Sequence, residues 1–201
     1  MAAGAKGHPI FAALYDINPW PRRWSALWKR RAAVVGEAEG RVLDLGVGTG
    51  LNFECFRRAV FVVGVDPDPY MLRRARPRLL AATARKTILQ GPAEVLPFPD
   101  GTFDTVVATF VLCTVQDPDA ALREARRVLR PGGALRFLEH VRAPAPRWAA
   151  FQDRITPLWS RLFAGCHPNR DTLVAIRARG FTVEALETAK RGMLIQGVAR
   201  A

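Results

Sequence analysis

What most constrains this chain is an apolar strand that runs straight into a turn punctuated by glycine. The stretch is Val42-Leu43-Asp44-Leu45-Gly46-Val47-Gly48-Thr49-Gly50. Glycines at 46, 48 and 50 let the backbone swing out of a strand and approach a ligand closely, because no Cβ stands in the way. The turn does not stand alone. From residue 41 onward, strand-like and helix-like periods alternate. Strands are expected at 41–46, 60–65, 86–91, 105–111 and 134–141, with helices at 50–58, 69–82 and 118–129 between them. The helix at 118–129 gathers Ala121, Leu122, Ala125, Val128 and Leu129 on one side and stops at Pro131-Gly132-Gly133. A last helix, 171–179, precedes two strands, 182–186 and 193–199. Such alternation predicts an α/β fold with a mostly parallel sheet covered by helices on both faces. The final two strands lack an intervening helix, so they are expected as an antiparallel hairpin at one edge.

The 201 residues make one domain with decoration rather than two domains. An N-terminal helical arm (residues 1–40) precedes the α/β domain of residues 41–201, which carries an insertion at 142–170. Open α/β sheets bind ligands beyond the carboxyl ends of their strands, and the insertion leaves from that end, so it is expected as a helical lid. The formal net charge is +12, and 26 of the 30 basic residues are Arg. A nucleic acid, an anionic membrane or an acidic ligand would suit that charge, as would a merely solvated arginine-rich face. The cations form only short runs with no base-reading motif among them, so no nucleic-acid partner is expected. Cys55, Cys113 and Cys166 lie far apart without a C-x-x-C pair, and His167 has no partners at ligand spacing, so no metal site is expected. With no apolar signal region and no apolar run of about 18 residues, a cytoplasmic protein is expected, monomer or homodimer.

The turn itself narrows the cofactor. Asp66 closes the next strand twenty positions after Gly46, where a carboxylate can accept hydrogen bonds from both hydroxyls of a ribose. A dinucleotide fingerprint needs G-x-G-x-x-G; here the third glycine comes one residue early and Leu51 takes the slot. Asp44, before Gly46, points to a cationic ligand group rather than a diphosphate. S-adenosyl-L-methionine, with a ribose, an adenine and an ammonium but no phosphate, fits these residues better than NAD.

Several motifs stand in register around this turn: Asp66, Gly91-Pro92-Ala93-Glu94-Val95-Leu96-Pro97-Phe98, Asp100-Gly101-Thr102-Phe103-Asp104 and Arg130-Pro131-Gly132-Gly133. Together, over about residues 40 to 200, they resemble a class I S-adenosylmethionine-dependent methyltransferase. The resemblance implies a Rossmann-like, seven-stranded sheet. It implies that Gly46, Gly48, Gly50, Asp44 and Thr109 line the methionine and ribose part of the cofactor. Asp66 would bind the ribose, with Pro67 beside the adenine, Ala93 and Glu94 at its edge, and Tyr15 covering it. Many relatives carry an Asp where this chain has Pro92, so the adenine contact falls to Glu94 or a backbone carbonyl. Val111-Leu112-Cys113-Thr114-Val115, Leu138-Glu139-His140-Val141, Gly165-Cys166-His167 and Arg170-Asp171-Thr172-Leu173 are similar to the small-molecule thiol S-methyltransferase branch. Neighbouring branches methylate phosphatidylethanolamine amines or quinone precursors, and a non-catalytic cofactor-binding module is the remaining alternative.

Methyl transfer is an in-line displacement that needs alignment and exclusion of water, and a base only where the nucleophile keeps its proton. The Asp/Asn-Pro-Pro-aromatic set of adenine methylation and the Pro-Cys pair of cytosine methylation are both missing after the fourth strand, which has Thr109-Phe110-Val111-Leu112-Cys113. An apolar motif of this kind suits a soft acceptor such as a thiol, partly ionised at neutral pH. Glu139 and His140 are the candidates to assist it; Cys113 is expected as a small core residue. Phe110 and the lid aromatics Trp148, Phe151 and Trp159 are expected to wall a small, largely apolar acceptor pocket. Trp20, Trp24 and Trp28 recur at every fourth residue beside Arg22, Arg23, Lys29, Arg30 and Arg31. That face either packs on the sheet and closes over the cofactor, or lies in a membrane interface as a peripheral contact.

Overall fold

The computed structural model describes residues 7–15, 25–80 and 85–201. Seven strands form one sheet: β1 (Glu39–Leu45), β2 (Arg58–Asp66), β3 (Arg85–Gln90), β4 (Phe103–Thr109), β5 (Leu129–His140), β6 (Thr182–Ala189) and β7 (Leu194–Arg200). Their order is β3-β2-β1-β4-β5-β7-β6. Strands β1 to β5 pair in parallel, and β7 runs antiparallel between β5 and β6. The expected edge hairpin is therefore present, with its second strand inserted next to β5. The order reverses between β1 and β4, and a crevice opens there beyond their carboxyl ends.

Central parallel strands bury both faces, so they are apolar without interruption rather than in alternation. Val42, Leu43 and Leu45 of β1 are fully buried. Odd and even positions then serve opposite layers. Leu43, Leu45, Val106, Ala108 and Leu135 pack with Leu122 and Ala125 of helix α4 (Pro118–Val128) and Ile176 of helix α6 (Thr172–Ala178). Val42, Val62 and Val107 pack with Val35 of α2 (Ala26–Gly36) and with Leu72 and Ala75 of α3 (Pro69–Leu80). Each such aliphatic side chain contributes roughly 1.5–3 kcal/mol on burial, which holds the crevice walls rigid.

Three elements depart from the expected boundaries. The helix expected at 50–58 is only a 3-10 turn, Leu51–Glu54. Asn52 turns its side chain inward, and Lys86 Nζ takes the Phe53 carbonyl at 2.6 Å, a group that a longer helix would use internally. Strand β5 starts at Leu129 rather than 134, carrying the Pro131-Gly132-Gly133 stretch as a bulge opposite β4. Strand β4 ends at Thr109, two residues early, because Phe110 adopts a φ of 61°.

The insertion at 142–170 is docked, not loose. Its helix α5 (Pro146–Leu162) buries Ala149, Gln152 and Thr156. Gln152 holds both stems of the insertion: its Oε1 accepts from Ala143 N at 2.7 Å, and its Nε2 donates to the Val141 and Pro168 carbonyls. In the arm, helix α1 (Pro9–Tyr15) is preceded by His8, whose N–H donates to Asp68 Oδ2 at 2.7 Å. Helix α2 is capped by Ser25, which accepts from Trp28 N, and Trp28 packs half-buried on the sheet layer beneath. Trp20, Trp24, Arg22 and Arg23 lie outside the described residues. Among the described residues no helix is long and apolar enough to cross a membrane.

Candidate active site

One half of the crevice is built on β1 and β2. Gly46, Gly48 and Gly50 all have positive φ, and a Cβ on Gly46 would meet Val111 Cγ2 far inside contact distance. Any other residue at 46 would push apart the two loops that face the crevice. Asp44, at the end of β1, is fully buried; its Oδ1 accepts from Asn52 Nδ2 at 2.7 Å, and its Oδ2 has no partner. The Asn52 amide is oriented by Arg31 of α2, whose Nη1 donates to Asn52 Oδ1 and, at 2.8 Å, to Thr109 Oγ1. With the guanidinium on its oxygen, the amide must present its NH2 to Asp44.

Burial pushes the Asp44 carboxyl up to about 7, against the opposing influence of the Asn52 hydrogen bond and the Arg31 charge. Asp66 is pushed up to about 6 by the same cause, although Asp68 N and Gly48 N both donate to it. Two buried acids with lone pairs to spare, one oxygen wholly unpartnered, fit a ligand that brings an ammonium and ribose hydroxyls. The residues present therefore suit S-adenosylmethionine, with Asp44 toward its ammonium and Asp66 toward its ribose.

Other expected cofactor contacts have other duties. Thr109 gives its hydroxyl to the Arg31–Asn52 network, beneath the site rather than at its surface. Ala93 packs its side chain into the main core, so only its backbone is available. Glu94 Oε1 accepts from Gln116 N and Asp117 N, which anchors the start of α4. The Pro67 carbonyl accepts from Gln90 Nε2 at the exposed end of β2. Tyr15 is partly exposed and packs on Phe11, 5.5 Å between ring centres.

The other half is built on β4, β5 and α5. Phe110 occupies the left-handed region, a strain of order 1–3 kcal/mol for an aromatic residue. The strain is held by named contacts. Phe110 N donates to Leu138 O at 2.8 Å, and its ring sits between the Arg31 guanidinium at 5.6 Å and the His140 ring at 4.7 Å. Glu139 completes the clamp. Its Oε1 accepts from Val111 N and Leu112 N, and its Oε2 from Cys113 N, at 2.9 to 3.1 Å.

That arrangement corrects the expectation that Glu139 assists the acceptor directly. It is fully buried with both oxygens on backbone amides, and burial holds its carboxyl up at about 7 despite them. Glu139 is a positioning residue for the turn after β4.

His140 is half-buried against the Phe110 ring, and beside it lie two cysteines. Cys166 Sγ is 3.7 Å from His140 Nδ1 and 3.7 Å from Cys113 Sγ. The hydrogen bond between the two thiols holds Cys166 well below the usual thiol range, with His140 and Trp159 adding to the effect; Cys113 itself is pushed up by the same bond and by burial. The Trp159 indole N–H has no oxygen or nitrogen partner and lies against Cys166. Trp159 stacks on Phe163 at 4.1 Å, Phe163 meets Phe11 edge-on at 6.5 Å, and an aromatic wall thus runs from α5 to α1.

Trp148 and Phe151 do not join that wall. Both are exposed, paired edge-on with each other, and Arg191 sits over Trp148. At about 100° per residue, Phe151 falls roughly 120° around α5 from the buried stripe of Ala149, Gln152 and Thr156, whereas Trp159 stays near it. A separate shallow cleft of about 610 Å³ between α4 and α6 is lined by Arg123, Arg126, Arg127 and Arg179. Three of these are committed to Gly180 O, to Glu124 and Asp100, and to Asp119, so the reactive groups are elsewhere.

Comparison with known proteins fits this geometry. The family described as "Methyltransferase domain" matches residues 43–137. Over 149 residues the chain is 38% identical to a demethylmenaquinone methyltransferase of Thermus thermophilus, covering 69% of this chain and 67% of that protein. The chain belongs to the class I S-adenosylmethionine-dependent methyltransferases. It is 38% identical over 141 residues to the thiol S-methyltransferase TMT1B of Homo sapiens, covering 67% of this chain and 58% of that protein. It is 39% identical over 135 residues to the phosphatidylethanolamine N-methyltransferase of Cereibacter sphaeroides, covering 64% of each. The matches to these two relatives thus span less than two thirds of the relatives' own lengths. A solved structure of a putative methyltransferase from Bacillus halodurans superposes with a TM-score of 0.67 at 25% identity, over 79% of this chain and 71% of that one. S-adenosylmethionine is the cofactor of the family to which the chain belongs.

Sequence reasoning missed Arg31, Asn52, Phe11 and Phe163. Arg31 stood in a run with Lys29 and Arg30, where its neighbours mark a solvated face. Only the α2 period, with Arg31 on the same side as Val34 and Val35, could have set it apart.

Proposed function

We propose that this methyltransferase S-methylates a small, largely apolar thiol. The observation that carries the reading is the turn after β4. Phe110, Val111, Leu112 and Cys113 stand where an acid or amide would steer an amine, and their backbone amides are already taken by Glu139 or, for Phe110, by Leu138. The surroundings are Trp159, Phe163 and Phe11, which suit an apolar body behind a sulfur. The thiol S-methyltransferase TMT1B among the relatives is named for that activity.

The bound cofactor supplies a methyl group on a positively charged sulfur. The protein's own residues do the rest. Asp44 and Asp66 hold the two polar ends of the cofactor. Arg31 keeps Asn52 oriented, so that one Asp44 oxygen stays open. Glu139 holds the strained Phe110 turn, and the aromatic wall excludes water from the acceptor. His140 Nδ1 faces Cys166 and its ring contacts Phe110, so the imidazole borders the apolar turn on the acceptor side.

A second reading, transfer to a phospholipid amine, draws on the phosphatidylethanolamine N-methyltransferase relative and on the basic N-terminal arm; transfer to a quinone carbon draws on the demethylmenaquinone relative. A screen with labelled S-adenosylmethionine over apolar thiols, phosphatidylethanolamine and reduced quinone precursors separates them. Methylation of a thiol at the highest kcat/KM is expected; preference for amine or carbon acceptors would overturn the reading. Sedimentation with anionic and neutral liposomes tests the arm: salt-sensitive binding to the anionic ones is the mark of a peripheral membrane contact.

A further inference from the structure

We propose that Cys113, His140 and Cys166 form a three-ligand site for a thiophilic divalent cation of the zinc class, with its fourth position open to the acceptor. The three residues come from different elements: the turn after β4, the end of β5 and the loop that closes the insertion. Their Sγ, Nδ1 or Nε2 and Sγ atoms all lie within 4.8 Å of one another. Tetrahedral zinc with Zn–S near 2.3 Å and Zn–N near 2.0–2.1 Å requires S···S of about 3.8 Å and S···N of about 3.6 Å. The Cys166–Cys113 and Cys166–His140 separations are both 3.7 Å. Two of the three ligand pairs thus already stand at the separation a bound cation sets, and the third lies within 4.8 Å.

The donor set also selects the ion. Two thiolates and an imidazole favour zinc over magnesium or calcium, which take oxygen ligands. Two thiolates neutralise a divalent cation. That balance matters here because Cys113 and Cys166 are both buried and the charge must be compensated locally. The indole N–H of Trp159, left without an oxygen or nitrogen partner, lies against Cys166 as an outer-shell donor to a ligating sulfur.

Three protein ligands leave one position open, as in catalytic rather than structural zinc sites. His140 is the half-exposed member of the set, and its ring contacts Phe110. The open position therefore lies on the crevice side. This last step rests on the thiol reading above. An acceptor thiol would occupy the position as a thiolate, its proton passing to solvent. Its sulfur lone pair then forms the new carbon–sulfur bond as the methyl–sulfonium bond breaks, and that bond's electron pair stays on the cofactor's sulfur.

The test begins with the full chain, purified under reducing conditions, and its zinc content. About one zinc per chain is expected. Replacement by Co2+ should give thiolate-to-cobalt charge-transfer bands with the intense visible bands of a tetrahedral ion. Cys166→Ser and His140→Ala should each weaken Co2+ binding by more than about 100-fold, beyond what loss of an outer-shell partner does. A folded, reduced wild type that takes up neither metal would overturn the site, as would a His140→Ala protein with an unchanged cobalt spectrum. The wild-type measurement needs no variant to fold. Outcomes for the two ideas remain separate. Metal uptake without thiol methylation would overturn the thiol reading alone, and thiol methylation by protein that binds no metal would overturn the metal site alone.

Discussion

The proposed cofactor half and the proposed acceptor half of the site are built on different plans. On the cofactor side, the glycine turn, Asp44 and Asp66 lie within 23 consecutive residues, and each acts through its own place on a strand end. On the acceptor side, Phe110, Cys113, His140, Trp159 and Cys166 are spread over 57 residues, and Phe11 and Arg31 reach in from the arm. The first half is a local motif. The second is an assembly, and its central turn is strained and depends on one buried carboxylate. A local motif loses function when a single contact is removed, whereas an assembly loses stability as well.

The largest effect should come from the acceptor side. Glu139→Ala leaves three buried backbone amides without their carboxylate, and a loss of about 3–5 kcal/mol in unfolding free energy is expected from urea titration. Glu139→Gln should recover part of it, because one side-chain oxygen remains. A stability loss under 1 kcal/mol (about the worth of one ordinary hydrogen bond) for the alanine variant would break the contrast between the halves.

Asp66→Ala removes the acceptor of two backbone amides rather than three, so it should cost less stability, about 1–2 kcal/mol, and weaken binding of S-adenosylhomocysteine by about 2–3 kcal/mol, or roughly 30–150-fold, by calorimetry. An unchanged affinity would remove Asp66 from the cofactor site. Arg31→Met tests a side chain that serves both halves. It should lower stability and cofactor affinity together, each by about 1.5–3 kcal/mol, since the Asn52 amide loses its orientation. An effect on stability alone would confine Arg31 to holding α2.

The acids also set a pH dependence. Asp44, Asp66 and Glu139 have folded-state values of about 7, 6 and 7, raised from ordinary carboxylate values by burial. Their contribution to stability is therefore fully present below about pH 4 and is lost as pH rises through about 6–7, where the buried groups ionise. Ligand-free protein should show a falling urea midpoint over that range. Cofactor affinity should move oppositely, rising with pH as Asp44 ionises, and Asp44→Asn should flatten that rise. The smallest effect is expected at Phe151, which is more than half exposed: Phe151→Ala should change acceptor KM and stability by less than about 0.5 kcal/mol, while Trp159→Ala raises acceptor KM several-fold. A large effect at Phe151 would put the outer face of α5 back into the pocket.

How much of this was legible in the chain follows the same division. The strand and helix order and the edge hairpin could be read directly, because a strand's period and a turn's glycines act over a few residues. The helix after Gly50 was overestimated, since Asn52 and Lys86 settle its length through side chains that reach other strands. Glu139 looked like a reactive acid because its strand-end position is where such groups stand. Its partners, the amides of residues 111 to 113, are invisible without the β4–β5 register. Phe151 and Trp159 were equivalent as aromatic residues near helical spacing, and only the docking of α5 through Gln152 separated them.

The sequence by itself therefore determined the order of the sheet, because strand periods and glycine turns act locally and carry their own geometry, and its motifs in register determined, by resemblance to a known family, the cofactor and the reaction class. The tertiary structure alone decided what meets across the crevice: Arg31 against Asn52, Glu139 against three backbone amides, and Cys113 and Cys166 beside His140, residues 53 apart in the chain for the two sulfurs and 3.7 Å apart in space. Contacts of that kind depend on the packing of whole strands and helices, and residue types at short spacing hold no record of them.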